Sequence, residues 1–557
     1  MPTSLNSTGD KSAPASRQDS LFRSASAVSA SVLTSRLSGL LREILMAHWF
    51  GSQQAYEAFI VGFRIPNLTR DLFAEGALSS AFVPTFMQYL TTKNKQEAAR
   101  LANLVSTGIV LVVGALCLLG MIFSPALVEL TAGGFRQSPG KFELTVHLTR
   151  IMFPFLLLVA LAAQAMGMLN ACGSFTVPAM SSTCFNVGSV GFGFVLGFWV
   201  GPRLGLPPIV GMAYGIVLGG ALQLIWQLPS LYRAGFYPRF QWDWSHPGFR
   251  QILALMGPAI LGNAAVQINV LVNTGFASGL IDPVRGHNGS VAWLGYAFRF
   301  MQLPLGLFGV AIATATLPAI SQSAALGKID EFRRTLSRSL GMVFLLTLPS
   351  SVGLIVIGET MIGAIYEHGA FRAYDTQQTA LALACYAIGL GGYAAIKILA
   401  PAFYALNDSR TPMLVSLCSI LINFVAASAM VRTGTLGHAG LALATSLVAL
   451  FNFSALFWIL RNRIGGIHGR ALLRSVLQIA VASLAMGIAV ALASHGIEAW
   501  LGTRRLARLL NLALSIPFGL AVFYYVSRAL RVAELEMATR ALVAPVLRWM
   551  SRRRDRI

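Results

Sequence analysis

Charge is what this sequence has least of. Only 11% of its 557 residues are Asp, Glu, Lys or Arg, against about 25% in a soluble domain. That shortage excludes a water-soluble globular protein. Acid is the scarcer sign, with 21 Asp and Glu against 42 Lys and Arg and a net charge of +21. Cysteine is sparse as well: Cys117, Cys172, Cys184, Cys385 and Cys418 stand in or beside apolar stretches, and no two form a C-x-x-C pair. Neither a disulfide framework nor a zinc site is indicated, and the cysteines read as small buried apolar side chains. The eight histidines are scattered, none at metal-ligand spacing. H-E-x-x-H, Walker A and G-x-S-x-G runs are all missing. The chain is therefore expected to be no enzyme and to need no metal or cofactor. Any uphill work would draw on an ion gradient, the membrane potential or removal of product. Residues 1–20 lack the apolar run of a cleavable signal peptide and read as a disordered polar leader.

Apolar length is what the sequence does have: 55% of residues are hydrophobic and the mean hydropathy is +0.66. A helix needs about 20 apolar residues to cross a bilayer. On that ruler about fourteen spans are expected, near 22–48, 56–85, 99–124, 143–171, 177–201, 208–231, 250–280, 291–322, 335–358, 376–406, 411–432, 437–461, 471–495 and 505–530. The fold class is thus an all-α polytopic membrane protein. Alternate connections concentrate base: Lys93, Lys95 and Arg100; Arg233, Arg239 and Arg250; Lys328, Arg333 and Arg334; Arg461, Arg463, Arg470 and Arg474; and the tail with Arg548, Arg552, Arg553, Arg554 and Arg556. The other connections are poorer in base: 49–56 has none, and 359–375 sets Glu359, Glu367 and Asp375 against Arg372. This bias places both termini in the cytoplasm. It makes the basic excess topological and argues against nucleic acid as a partner.

The chain also repeats itself. Arg64–Pro84 (RIPNLTRDLFAEGALSSAFVP) and Arg299–Pro318 (RFMQLPLGLFGVAIATATLP) each open on arginine, carry a proline and Leu-Phe, and close on proline, at offsets of 235 and 234. Leu169-Asn170 with Pro178 aligns with Leu406-Asn407 and Pro412, at offsets of 237 and 234. Six helices fill one period, so the halves keep the same orientation, as in transporters built from parallel repeats. The expected organisation is a leader over 1–20, an N-lobe over 21–231, a C-lobe over 250–461 across a central cavity, two extra helices over 471–530, and a basic cytoplasmic tail over 531–557.

Arginines stand inside the first two spans: Arg36 and Arg42 in SRLSGLLRE, and Arg64 and Arg70 in RIPNLTRD, where Asp71 follows. Each charge at the bilayer centre costs roughly 2.5–3.5 kcal/mol on insertion scales, so a watery cavity holding something anionic is the expected setting. Glu57, Arg64 and Asp71 fall at seven-residue spacing on one helical face, as do Arg36 and Glu43. Snorkelling or inert ion pairing competes with that reading for Arg36, Arg42, Arg64 and Arg70. Arg299, inside span eight and equivalent to Arg64 by the repeat, is harder to dismiss. Lys397 is a further intramembrane base. Asn263, Gln267 and Asn269 form a polar patch in span seven, which hydrogen bonding between helices explains as well as substrate contact does.

SRLSGLLRE at 35–43, the run from Glu57 to Pro84, MGPAILGN at 256–263, the run 298–318 and KILAPAFYALND at 397–408 resemble the MurJ (MviN) family of bacterial lipid II flippases. The likeness runs from about residue 22 to 530. It implies the multidrug/oligosaccharidyl-lipid/polysaccharide (MOP) exporter fold, with two extra helices offering a groove for a lipid tail. It implies flipping of undecaprenyl-pyrophosphate disaccharide-pentapeptide from the inner to the outer leaflet of the cytoplasmic membrane by alternating access. Lipid II, membrane lipids and the cell-wall synthesis machinery would be its partners. The family's substrate-binding arginines fall on Arg36, Arg42, Arg70 and Arg299; Glu57, Glu43, Arg64 and Lys397 are expected in gating or salt bridges. Asp71 stands where many members have arginine, and Phe298 where many have an acid. Two alternatives remain at this point: a flippase for another polyprenyl-pyrophosphate glycan, and a cation-coupled multidrug exporter, whose cavity should be acidic.

Overall fold

In the computed structural model the described residues are 13–71, 78–286, 289–434, 436–467 and 469–539, without the side chains of 13–30, 32, 79–80, 258–259 and 261–263. The expected leader falls largely outside them; helix α1 already runs from Ala13. Among the described residues there is no strand. The helices are α1 Ala13–Phe50, α2 Gln54–Arg70, α3 Ser79–Thr92, α4 Lys95–Ile122, α5 Ser124–Ala132, α6 Lys141–Met152, α7 Pro154–Ala171, α8 Thr176–Phe194, α9 Pro208–Ile225 and α10 Leu228–Arg233. They continue as α11 Pro247–Ser278, α12 Ser290–Pro304, α13 Ala311–Ala325, α14 Ile329–Tyr366, α15 Ala373–Ile388, α16 Leu390–Ala405, α17 Arg410–Thr433, α18 Gly437–Arg463, α19 Gly469–Leu501 and α20 Arg505–Ala529.

Local chemistry sets several of these boundaries. Asn94 caps α4, its side chain accepting the Glu97 N–H at 2.8 Å and satisfying one orphan donor of the first turn. Pro154 and Pro208 open α7 and α9, where a missing N–H loses nothing. Between α12 and α13 the chain stays helical through a wide π turn, Leu305–Val310. Pro304 has no N–H to give the ladder there, and such widened turns recur at functional sites.

Ten helices among the described residues are long and apolar enough to cross a membrane, or eleven if α15 and α16, bent by 42°, are one span. They fall on eleven of the fourteen spans expected from sequence; the count of fourteen is not confirmed. The three others, at 22–48, 56–85 and 250–280, include residues or side chains outside the described ones. Arg36 and Arg42 interrupt α1. The 17-residue α2 holds Glu57, Arg64 and Arg70, and α11 holds Gln267, Asn269 and Asn273.

The duplication has a structural counterpart. Helices α4 and α14 begin at Lys95 and Ile329, and α8 and α17 at Thr176 and Arg410, both pairs 234 residues apart. The turns before α8 and α17 are the same Schellman-type closure. Ser174 N donates to Leu169 O at 2.9 Å and Gly173 N to Asn170 O at 3.0 Å; Asp408 N donates to Phe403 O at 2.9 Å and Asn407 N to Tyr404 O at 3.0 Å. Gly173 (φ 78°) and Asn407 (φ 56°) take the left-handed position. The register here is therefore 234, so Leu169 matches Phe403. The alignment of Leu169-Asn170 with Leu406-Asn407 was three residues out because it followed letters rather than hydrogen bonds.

Two compact units result. One holds the described residues up to Met46, Ala58–Val128 and Phe142–Ala264; the other holds Ala47–Glu57, Glu129–Lys141 and the described residues from Ala265 onward. The first is built around Phe82, Phe86, Leu101, Leu104 and Leu156, the second around Phe332, Leu336, Leu340, Phe403 and Leu460. Within the bilayer these contacts stabilise through close van der Waals packing rather than removal from water.

Candidate functional site

In the first unit, α1 carries Arg36, Arg42 and Glu43 and α2 carries Arg64 and Arg70. Arg36 is exposed; the other four are half-buried. The Arg42 guanidinium lies 5.4 Å from the centre of the Phe185 ring on α8, within cation–π range. Beside it Asn186 Nδ2 donates to Ser35 O at 3.2 Å and to Ser38 Oγ at 3.1 Å, which fixes the rotation of α1 against α8. Arg70 pairs with the neighbouring Asp71 at 2.8 Å. Both are partly solvated, so the pair contributes only about 0–1 kcal/mol, but it offsets the positive charge of Arg70 locally.

In the second unit Arg299 is exposed on α12, just before the π turn, and Lys397 is exposed on α16. Phe298, in place of an acid, sets its ring edge-on to Tyr386 at 5.4 Å between centroids. The polar patch of α11 faces other helices. Asn269 Nδ2 donates to Ser419 Oγ at 3.1 Å and Asn273 Nδ2 to Thr445 Oγ1 at 2.9 Å, while Asn423 Nδ2 donates to Asn273 Oδ1 at 3.1 Å. For Asn269 this is the helix–helix bonding anticipated for the patch; the Asn263 side chain lies outside the described residues.

Two buried, multiply bonded carboxylates lie elsewhere in the second unit, where the α1–α2 turn meets the starts of α6, α12 and α15. Glu57 is fully buried. One of its oxygens pairs with Lys141 Nζ at 2.5 Å; the other accepts the N–H groups of Val291 at 2.7 Å and Ala292 at 3.2 Å. Those N–H groups belong to the first turn of α12, whose positive dipole end favours a carboxylate. Lys141 is itself buried, with its ammonium 3.8 Å from the centre of the Phe135 ring.

Asp375 forms a second clasp beside the first. Its Oδ1 accepts from the Ser52 hydroxyl, from Trp293 Nε1 at 2.8 Å and from Arg285 Nη1 at 2.9 Å. Its Oδ2 accepts the Arg372 N–H at 2.9 Å. The loop before α15 is also held to the end of α1: Ala370 N donates to His48 O at 2.9 Å and the His48 and His368 rings meet at a tilt, 5.1 Å between centroids. Arg508 of α20 pairs with Glu367 of the same loop at 2.6 Å. Burial, then the charges of Arg505 and His48, hold the His368 imidazole below the usual histidine range.

Glu57 was singled out from sequence; Lys141, Asp375, Arg285 and Ser52 were not. One signal was available: Lys141 and Asp375 are 234 residues apart, so the repeat assigns them one position with opposite charges.

Duplicated helix order, helices long and apolar enough to cross a membrane, and arginines carried on α1, α2 and α12 define a polytopic membrane protein, and comparison with solved structures narrows the class. The inward-facing form of a multidrug resistance MATE family transporter of the MOP superfamily has the same fold, with a TM-score of 0.63 at 16% identity over 78% of this chain and 96% of that one. A lipid II flippase MurJ in an inward closed conformation matches with a TM-score of 0.72 at 25% identity, over 90% of this chain and 99% of that one. Lipid II flippase MurJ of Burkholderia cenocepacia is 35% identical over 447 residues, covering 80% of this chain and 84% of that protein. Residues 46–510 match the family described as lipid II flippase MurJ. The chain belongs to that family.

Proposed function

We propose that this chain moves lipid II from the inner to the outer leaflet of the bacterial cytoplasmic membrane by alternating access. The family match across residues 46–510 carries the reading, and it favours lipid II over another polyprenyl-linked glycan. The same match favours it over a multidrug cation, for which the likeness at 16% identity speaks only to fold. Arg36, Arg42 and Arg299 bind the pyrophosphate and Arg70 supports them. Guanidinium forks pair with phosphate oxygens through charge-assisted bonds, and exposure on their helices leaves Arg36 and Arg299 accessible. Glu57 organises the gate, a role its three donors suit, with Glu43, Arg64 and Lys397 as further gating or salt-bridge groups.

The remaining assignments follow from the same reading. Both termini lie in the cytoplasm, by the distribution of Lys and Arg. The lobes over 21–231 and 250–461 rock against each other, and the helices within 471–530 guide the lipid tail. Transport draws on an ion gradient or the membrane potential, and the cell-wall synthesis machinery receives the product.

The deciding experiment follows lipid II on the outer leaflet of bacteria depleted of their own flippase and supplied with this chain, wild type or Arg299→Ala, at matched membrane levels. Rescue by wild type and loss with the variant is the expected result. Failure of well-expressed wild type overturns the function; rescue by both removes Arg299 from the site.

A further inference from the structure

The connection between α10 and α11 is unusual for the number of aromatic rings it leaves uncovered. Tyr237, Phe240, Trp242 and Trp244 are exposed. They are ordered rather than scattered, with centroid separations of 6.5 Å for Phe240–Trp242, 5.4 Å for Trp242–Trp244 and 5.8 Å for Trp244–Phe249. Two backbone donors pin the strap to α4: Arg239 N to Asn103 Oδ1 at 3.2 Å and Gln241 N to Thr107 Oγ1 at 3.0 Å. Its depth follows from helix length. The 28 residues of α4 make a rod of about 42 Å, longer than a hydrocarbon core of about 30 Å. The surplus is the first turns, with Lys95, Glu97 and Arg100. Asn103 and Thr107, and the strap bonded to them, therefore stand where headgroups meet hydrocarbon, the level at which Trp and Tyr settle in membrane proteins.

The same strap roofs a crevice of about 310 Å³ between α4, α7 and α9, lined by Val110, Leu161, Met168, Leu224, Ser106 and Arg239. Arg239, which lines it, is exposed, and Arg233 and Arg250 are exposed at the adjoining ends of α10 and α11. The nearby acids are already engaged: Asp243 pairs with Arg100 at 3.0 Å, and Glu97 faces Arg100 at 3.9 Å and His246 at 3.8 Å. An exposed arginine at the mouth, ordered interfacial aromatics and an apolar slot below them suit a lipid with an anionic headgroup. The volume is that of the end of one acyl chain and far short of a polyprenyl tail.

We propose that residues 236–244 and the crevice beneath them bind an anionic glycerophospholipid of the surrounding bilayer. Arg239 takes the phosphate, the aromatic ladder holds the strap at the interface, and one acyl chain end enters the slot. The proposal is independent of the transported substrate. It is tested on the full chain in nanodiscs of equal phosphatidylglycerol and phosphatidylcholine, extracted gently and weighed by native mass spectrometry. Wild type should retain phosphatidylglycerol preferentially. Arg239→Gln should reduce that retention about tenfold, as expected for loss of one charge-assisted contact. Val110→Trp, which fills the slot from an exposed position, should reduce it comparably, whereas Leu118→Trp, exposed elsewhere on α4, should not. Equal retention of the two lipids by wild type overturns the proposal, as does undiminished preference in Arg239→Gln or Val110→Trp. Stoichiometric displacement of the phospholipid by a polyprenyl pyrophosphate would reassign the slot to the substrate and overturn it too.

Discussion

Glu57 and Asp375 are buried carboxylates with three and four donors aimed at them, whereas Arg36 and Arg299 stand exposed on α1 and α12. Both sets are charges in an apolar protein, and their surroundings differ. A carboxylate bonded on both oxygens to three chain segments is a clasp, and its energy is realised only while those segments stay together. An arginine exposed on a helix makes no such demand on distant segments, and its removal should disturb the fold little. The Arg70–Asp71 pair falls between the two, charge-balanced but partly solvated.

The largest expected effect separates the two sets by stability. Lys141→Ala leaves Glu57 charged and buried without its cation, which should cost about 3–5 kcal/mol; Arg36→Ala should stay within about 0.5 kcal/mol. Equilibrium unfolding in mixed detergent micelles reads both, and a Lys141→Ala protein as stable as wild type would end the clasp interpretation. Next comes the double variant Glu57→Gln with Lys141→Met. It removes both charges while keeping a side-chain oxygen for the α12 N–H groups, and should recover most of what Lys141→Ala loses. A double variant as unstable as the single one would place the loss in packing around Phe135 instead.

The two halves can be set against each other in the same way, with a smaller effect. Gly173→Ala forces a Cβ into the left-handed turn position and should cost about 1–2 kcal/mol. Asn407→Gly, at the equivalent position, should be neutral or slightly stabilising, and equal losses in both would contradict the shared turn geometry. The smallest effect concerns pH. The folded-state pKa of His368 is lowered, so the unfolded chain binds its proton more readily. Stability tied to this group is complete above about pH 6.5 and is lost as pH falls below that. His368→Asn should flatten that part of the profile, and an unchanged slope between pH 7 and 5 would remove the histidine from it.

Much of the fold was legible because hydropathy and helical period are local properties. Eleven of the expected spans need nothing beyond twenty apolar residues in a row. Arg36, Arg42, Arg70 and Arg299 were visible for the same reason, since a cation inside an apolar run is conspicuous without coordinates. Lys141 was not, because it opens a span and looks like any interfacial lysine.

By itself, then, the sequence determined that this is a polytopic helical membrane protein, that it is built from a duplicated unit, and that arginines lie within its first, second and eighth spans. Only the tertiary structure decided that Glu57 meets Lys141, 84 residues away, and the first turn of α12, 234 residues away. It likewise decided that Asp375 gathers Ser52, Arg285 and Trp293, and that the repeat register through α7 and α16 is 234. The reason is one of range. Apolar pattern acts over a single helix, whereas a buried charge is settled by whichever distant segments bring donors to it, and nothing in the local sequence names them.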